Sequence, residues 1–258
     1  MTADLEALTE ADLYDRVWTR APEVEWFARC LDPADGPVLE AGVGTGRIAI
    51  PMAKAGFTVV GQDLSEERLR RLERKAASLA PEERERLAVR RGDMVDDFPD
   101  GEFAAVLLPY NMIAEFDGPR LTALLGRIRG ALRPGGRLIS VQLVPKAIVL
   151  EIGRDQFTCE GKPWPDGTRL LFQSSSLIVP PAPGAEERET RHWLSYKAIR
   201  GNVVVREWVY SLVQWFRPPE VFARRLAEAG FRVVEHWGDG TGRTPWVEGA
   251  PASAVLAV

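Results

Sequence analysis

The 258 residues hold 37 acidic and 33 basic side chains, a formal net charge of −4, which argues against nucleic acid or an anionic membrane as the main partner. A 45% hydrophobic, 27% charged composition is that of a globular chain long enough to bury a sizeable core. Cys30 and Cys159 form no C-x-x-C pair, the acidic start has no apolar secretion segment, and no apolar run approaches a membrane span of roughly 18 residues.

Those features lead us to expect a cytoplasmic protein without disulfides. Two histidines, His192 and His236, are too few for a histidine-rich metal site.

Residues 4–32 carry Leu5, Leu8, Leu13, Val17, Trp26, Phe27 and Leu31 at helical spacing, interrupted at Pro22. A short apolar strand over 38–40 runs into Gly42-Val43-Gly44-Thr45-Gly46, and a helix follows over 47–55. Residues 57–63 read as a second strand. Ser65 is a fitting N-cap, with Glu66 and Glu67 in the first turn of a helix that continues over 68–79. Strands over 87–90 and 103–108 come next, then a helix over 121–132. Arg133-Pro134-Gly135-Gly136 stops that helix before a strand over 137–143. This alternation predicts a parallel sheet with helices on both faces.

Beyond residue 144 the period changes to two. Residues 170–179, 192–199 and 203–215 read as antiparallel strands, joined by turns at 180–184 and 200–202. Pro218 and Pro219 open a helix to residue 229, and strands over 231–237 and 252–258 close the chain. The expected architecture is α/β, a doubly wound, seven-stranded and mostly parallel sheet, with a β-rich antiparallel insertion before the last helix. Three parts follow: a helical lid over 1–34, a core over 35–143 and 217–258, and the insertion over 144–216.

The glycine spacing separates cofactor classes. A dinucleotide turn needs G-x-G-x-x-G, its third glycine standing where the helix packs on the strand. Arg47 occupies that place here, and Gly46 comes one residue earlier. The pattern from Glu40 to Gly46, E-x-G-x-G-x-G, instead resembles motif I of the class I S-adenosylmethionine-dependent methyltransferases, whose core is Rossmann-like. The resemblance extends over about 35–143 and 217–258, with Phe103 to Leu108 as motif IV and Leu132 to Leu138 as the turn before strand five. Ala104 departs from the acid many small-molecule relatives carry there.

The resemblance implies S-adenosylmethionine as cofactor, S-adenosylhomocysteine as product, and a set of contacts. Glu40, Ala41, Gly42, Gly44 and Gly46 would cradle the methionine part, with Glu40 either orienting the loop or meeting the amino group. Asp63, about 20 residues after the first glycine, would accept from the ribose hydroxyls, as its dinucleotide counterpart does. Leu64 would lie against the adenine, Asp93 would take its amino group, and Met94 would stand beside the ring. Leu108 and Pro109 would lie under the methyl donor.

Small-molecule N-methyltransferases, including those acting on amino sugars, often carry a Tyr-Asp-x-x-aromatic segment like Tyr14 to Trp18. Tyr14 and Trp18 share one helix face and would close over the cofactor. Tyr14, Tyr110 and Asn111 are the candidate catalytic residues. Pro109-Tyr110-Asn111-Met112 only echoes the N/D-P-P-Y of base methylases, because Leu107 lacks the amide or acid that grips a target amine. Residues 107–112 also supply no carboxylate for Mg²⁺, Asp96 and Asp97 being the nearest reserve, so no metal is expected.

The insertion is the expected acceptor pocket. On one face of its last strand stand Arg206, Trp208 and Tyr210, which suit a pocket wall or a subunit contact. His192 and Tyr196 are candidate proton acceptors. The reading is methyl transfer to an amine of a small molecule, an amino sugar or natural-product precursor. The rivals are an O-methyltransferase, a nicotinamide-dependent oxidoreductase and a non-enzymatic cofactor-binding module. The expected partners are a small-molecule acceptor and, through the insertion, a second copy of the chain.

Overall fold

The computed structural model describes residues 4–145 and 153–258. The first residues of the expected lid (1–3) and part of the expected insertion (146–152) lie outside the described residues. Two sheets organise the rest. The larger has seven strands: β1 (Val38–Ala41), β2 (Val59–Asp63), β3 (Leu87–Arg91), β4 (Phe103–Leu108), β5 (Leu132–Leu143), β10 (Val233–Trp237) and β11 (Ala252–Ala257), in the order β10-β11-β5-β4-β1-β2-β3. The five strands from β5 to β3 pair in parallel, and β11 runs antiparallel to both β5 and β10. The smaller sheet is a meander of β6 (Arg154–Gly161), β7 (Arg169–Ile178), β8 (Arg188–Arg200) and β9 (Val203–Phe216). It lies in sequence between β5 and the last helix, as expected.

Local chemistry sets the helices. α1 (Glu10–Val17) begins at a Thr9/Asp12 capping box. α2 is Val24–Cys30, and α3 is Ala49–Lys54. In α4 (Glu66–Ala76) the Ser65 side chain accepts from the Arg68 N–H, acids fill the first turn and bases the last. α5 is Pro81–Glu85. α6 (Gly118–Ala131) is capped by Asp117, and α7 (Pro219–Glu228) opens on proline.

Every residue of β4 is buried, because helices cover both faces of a parallel sheet. Phe103, Val106, Leu121, Leu125, Phe222 and Leu226 fill one side, and Phe27, Met52, Leu72, Ala105, Leu107 and Ile139 the other. A third cluster joins Leu13 of α1 to Leu170, Phe172, Tyr196 and Ala198 of the meander. The N-terminal helix is thereby fixed to both sheets: Arg71 of α4 meets Asp12 at 3.1 Å and Asp15 at 2.8 Å. Among the described residues no helix is long and apolar enough to cross a membrane.

Three local expectations change. The helix after the glycine loop starts at Ala49 rather than 47, since the positive φ of Gly46 (79°) delays right-handed helical geometry. The Arg133–Gly136 stretch is no free turn. Strand pairing begins at Leu132 opposite Phe103 and resumes at Arg137 opposite Ala105, so it is an irregularity inside β5. Finally, β6 was not anticipated. It is an edge strand whose side chains are nearly all exposed, so its sequence RDQFTCEG lacks the apolar run that marks buried strands.

Candidate active site

The carboxyl end of β1 leads directly into the glycine loop. Gly42, Gly44 and Gly46 have φ of 71°, 52° and 79°, where a side chain costs about 1–2 kcal/mol. The three differ in what they face. A Cβ on Gly42 would stand 2.2 Å from Met112 Sδ, and one on Gly46 would stand 2.9 Å from Leu72 Cγ. At Gly44 nothing comes nearer than 3.9 Å, which leaves open backbone. The loop is clamped from β2: Asp63 Oδ2 accepts from the Gly44 N–H and Oδ1 from the Ser65 N–H, both at 2.8 Å.

A cavity of about 680 Å³ opens beside this loop, within the size range of small-molecule sites. Most of its wall comes from four parts of the chain. Glu40, Gly42, Gly44 and Arg47 line it from the loop side, and Pro109, Tyr110, Asn111 and Glu115 from the end of β4. Glu10, Tyr14 and Trp18 line it from α1, while Ser174, Ser176, His192, Tyr196 and Gln214 come from the meander. Strand register explains the last group. Asp155, Ser176, His192 and Leu212 lie side by side across β6 to β9, one row of a single face. The alternation of β-strands brings every second residue to that face.

Trp18 is the aromatic centre of the cavity. Its ring lies 5.6 Å from Tyr110, 5.8 Å from Phe172 and 6.3 Å from Tyr14, centroid to centroid. Tyr110 is the only non-glycine described residue with positive φ, at 56°. Such backbone strain gathers at functional sites, and here it turns the ring toward Trp18 and within 5.8 Å of the Arg47 guanidinium. Burial pushes the Tyr110 hydroxyl up to about 12 and also raises Tyr14, which Arg47 and Arg68 pull the other way. Both phenols are therefore neutral hydrogen-bond donors near pH 7. Arg47 is itself held by Glu23 at 2.7 Å and by the Arg20 carbonyl.

Glu40 is the cavity's buried acid. Burial holds its carboxyl well above the usual range, with Arg47 and an Ala49 N–H bond pulling down. Its Oε2 has no hydrogen-bond partner among the described residues. A buried, unmatched carboxylate oxygen suits a cationic ligand group.

Of the candidate residues, Tyr14, Trp18, Glu40, Gly42, Gly44, Pro109, Tyr110, Asn111, His192 and Tyr196 all line this one cavity. Others do not. Ala41, Met94 and Leu108 are turned into the core, as alternate residues of strands and loops packed under helices must be. Gly46 serves packing against Leu72. Leu64 is 62% exposed, outside the cavity wall.

Asp93 is engaged within its own loop. It accepts from the Val95 and Asp96 N–H groups and from Arg120 at 2.7 Å, which lowers its pKa despite burial. Arg206 pairs with Glu6, while Trp208 and Tyr210 pack against the third cluster. Asp96 and Asp97 pair with Arg120 and Arg90. Of the two candidate proton acceptors, Tyr196 has its phenol raised by burial, so it stays protonated near pH 7 and is a poor base. His192 is pushed down by burial, so it is neutral near pH 7, and its Nδ1 lies 2.7 Å from Ser176 Oγ.

Sequence reasoning passed over Glu10, Glu115 and Arg68. Glu10 grips Arg68 through two contacts of 3.0 Å, and Arg68 lies 5.2 Å over the Tyr14 ring. The i, i+4 relation of Glu10 to Tyr14 could have disclosed the first of these. Gln214 stands on the same face of β9 as Trp208 and Tyr210, so alternation sets it at the wall, whereas its bond to Asn111 depends on tertiary register.

Residues 38–136 match the protein family described as methyltransferase domain. The putative methyltransferase YqeM of Bacillus subtilis (strain 168) is 35% identical over 102 residues, which is 38% of this chain and 39% of that protein. The match thus spans about two fifths of that relative's length. The CcbJ methyltransferase from Streptomyces caelestis superposes with a TM-score of 0.74 at 22% identity, over 96% of this chain and 94% of its own. Streptomyces venezuelae DesVI gives 0.71 at 17% identity over 97% and 98%. The glycopeptide N-methyltransferase MtfA in complex with S-adenosyl-L-methionine gives 0.60 at 22% identity over 92% of each chain. At such identities the shared property is the fold. Residues 38–136 thus match a methyltransferase domain, and the chain shares the fold of these solved methyltransferases.

Proposed function

We propose that the protein transfers the methyl group of S-adenosylmethionine to an amine of a small molecule, an amino sugar or natural-product precursor, and releases S-adenosylhomocysteine. The observation that carries this reading is the single cavity shared by the glycine loop and the polar face of the meander. A donor site alone would not need the second wall. The open backbone at Gly44, the unmatched Glu40 Oε2 and the loop-clamping Asp63 fit such a donor. Each Asp63 oxygen keeps a further lone pair for a hydroxyl.

When bound, the donor supplies a methyl group on sulfonium, a leaving group that needs no further activation. The chain supplies orientation and exclusion of water. Trp18, Tyr14 and Tyr110 enclose the space between loop and meander, and Asn111 is fixed by the Leu143 N–H, which donates to its Oδ1 at 3.0 Å. Ser174, Ser176 and His192 offer hydrogen-bonding groups to an acceptor's polar substituents. The test is incubation with methyl-labelled donor and matched pairs of amines and alcohols. Label on nitrogen is expected; label on oxygen alone would replace amine with hydroxyl as the acceptor.

Glu40 yields a separate prediction. A carboxyl whose folded pKa is raised stabilises the fold fully below its ordinary value near 4.5 and loses that contribution as pH rises through the folded value. Glu40→Gln should therefore melt higher than the unmodified protein at pH 8 and gain little at pH 4. Its donor affinity should fall about tenfold, through loss of a charge-assisted contact. Melting curves at both pH values and calorimetry check the pair. A variant that melts lower at pH 8 with unchanged affinity contradicts it.

A further inference from the structure

Glu115 follows the end of β4 on a short 3-10 turn (Met112–Glu115) and lines the cavity. It ends a chain of hydrogen bonds that all run one way. The Leu143 N–H donates to Asn111 Oδ1 at 3.0 Å, Asn111 Nδ2 donates to Gln214 Oε1 at 3.0 Å, and Gln214 Nε2 donates to Glu115 Oε1 at 3.0 Å. A backbone N–H can only donate, so it fixes the orientation of both amides. Each amide then turns its positive end toward Glu115, and Oε2 is left for the cavity.

The charges around this carboxyl are few. Arg68 on α4 acts on it favourably and Asp63 at the end of β2 unfavourably. Arg68 is already gripped by Glu10 from α1, and the cavity's other guanidinium, Arg47, is matched by Glu23. Among the described residues Glu115 has no ion pair. Glu115 still reaches solvent; partial desolvation by the cavity wall raises its carboxyl, and the Gln214 bond opposes that. The result is an oriented carboxylate, short of positive charge, facing the space between β4 and the meander.

We propose that Glu115, held by the Asn111–Gln214 chain, is the cation subsite that receives the ammonium group of the acceptor. This rests on the proposed methyl transfer to an amine and names the residue that selects it. The bound ammonium first releases one proton to solvent; the freed nitrogen lone pair then forms the new N–CH₃ bond while the S–CH₃ pair stays on sulfur. Positive charge therefore leaves sulfur and appears on nitrogen. A fixed carboxylate beside that nitrogen complements the transition state.

The test uses n-butylammonium and its neutral counterpart butan-1-ol as probes, titrated into the full chain with and without saturating S-adenosylhomocysteine. The readout is the side-chain amide signals of Asn111 and Gln214 in ¹⁵N–¹H spectra. The ammonium should bind about tenfold more tightly than the alcohol and shift those two signals. Glu115→Gln, an isostere that can still accept from Gln214, should abolish the preference while S-adenosylhomocysteine affinity is retained.

The preference should fade as pH falls through the raised Glu115 pKa. In Gln214→Met, which removes the opposing hydrogen bond, the fading should begin at higher pH. Absence of a preference, or one that survives Glu115→Gln, overturns the proposal. Failure of S-adenosylhomocysteine to bind, with the ammonium preference intact, would instead count against the methyl-transfer reading alone.

Discussion

Asp63→Ala should lower affinity for S-adenosylmethionine about a hundredfold. Its carboxylate accepts from the Gly44 and Ser65 N–H groups at 2.8 Å each, so it shapes the loop, and each oxygen keeps a lone pair for a ligand hydroxyl. Hydrogen bonds to a charged group contribute about 1.5–3 kcal/mol apiece. Losing the loop clamp together with a ligand contact amounts to about 3 kcal/mol, or two powers of ten in binding. Asp63→Asn retains one oxygen acceptor and should fall between. Calorimetric titration of the two variants decides this. Unchanged affinity in the alanine variant would remove Asp63 from the donor site.

Arg217→Met should be the most destabilising change, by about 3–5 kcal/mol, as expected when one partner of a buried ionic network is removed. Arg217 is fully buried at the junction of β9 and α7. Its guanidinium donates to the carbonyls of Ile113 and Phe116 and meets Glu187 at 3.1 Å. Gln142 donates to its backbone carbonyl. A methionine fills the volume, leaves the two carbonyls without their donor, and leaves Glu187 with only the longer Arg225 contact of 3.4 Å.

A loss of this size should lower the melting temperature by about 10 °C. Ile113 belongs to the turn that carries Glu115, so ligand binding should weaken as well. A melting temperature within about 2 °C of the unmodified protein would show that the network contributes little.

Arg217 also marks where reading the sequence stops. An arginine before a Pro-Pro helix start looks like a surface charge, and only tertiary structure reveals that it is enclosed. The glycine loop was legible because three left-handed positions two apart admit few residues but glycine. The parallel core was legible because strands covered on both faces become continuous apolar runs such as Phe103 to Leu108. The three long strands of the meander followed from their alternation, whereas the polar edge strand β6 left no such signal.

Site residues divided along the same line. Those fixed by local chain path, Gly44 beside β1 and Tyr110 beyond β4, were found at the cavity. Residues assigned by resemblance alone, such as Met94 and Leu108, proved to point into the core. Spacing identifies a strand end but not which side of the sheet a side chain takes. The tyrosine–tryptophan pair on α1 was readable from its i, i+4 spacing. Its contacts with Tyr110 and Phe172 were not, because those rings reach it from distant parts of the chain.

The central claim is that the loop from Gly42 to Gly46, with Asp63, is a methyl-donor site rather than a dinucleotide site. Calorimetric titration of the full chain with S-adenosylmethionine and, separately, with NAD tests it most directly. The account predicts saturable binding of S-adenosylmethionine and none of NAD. Binding of NAD without binding of S-adenosylmethionine would contradict it.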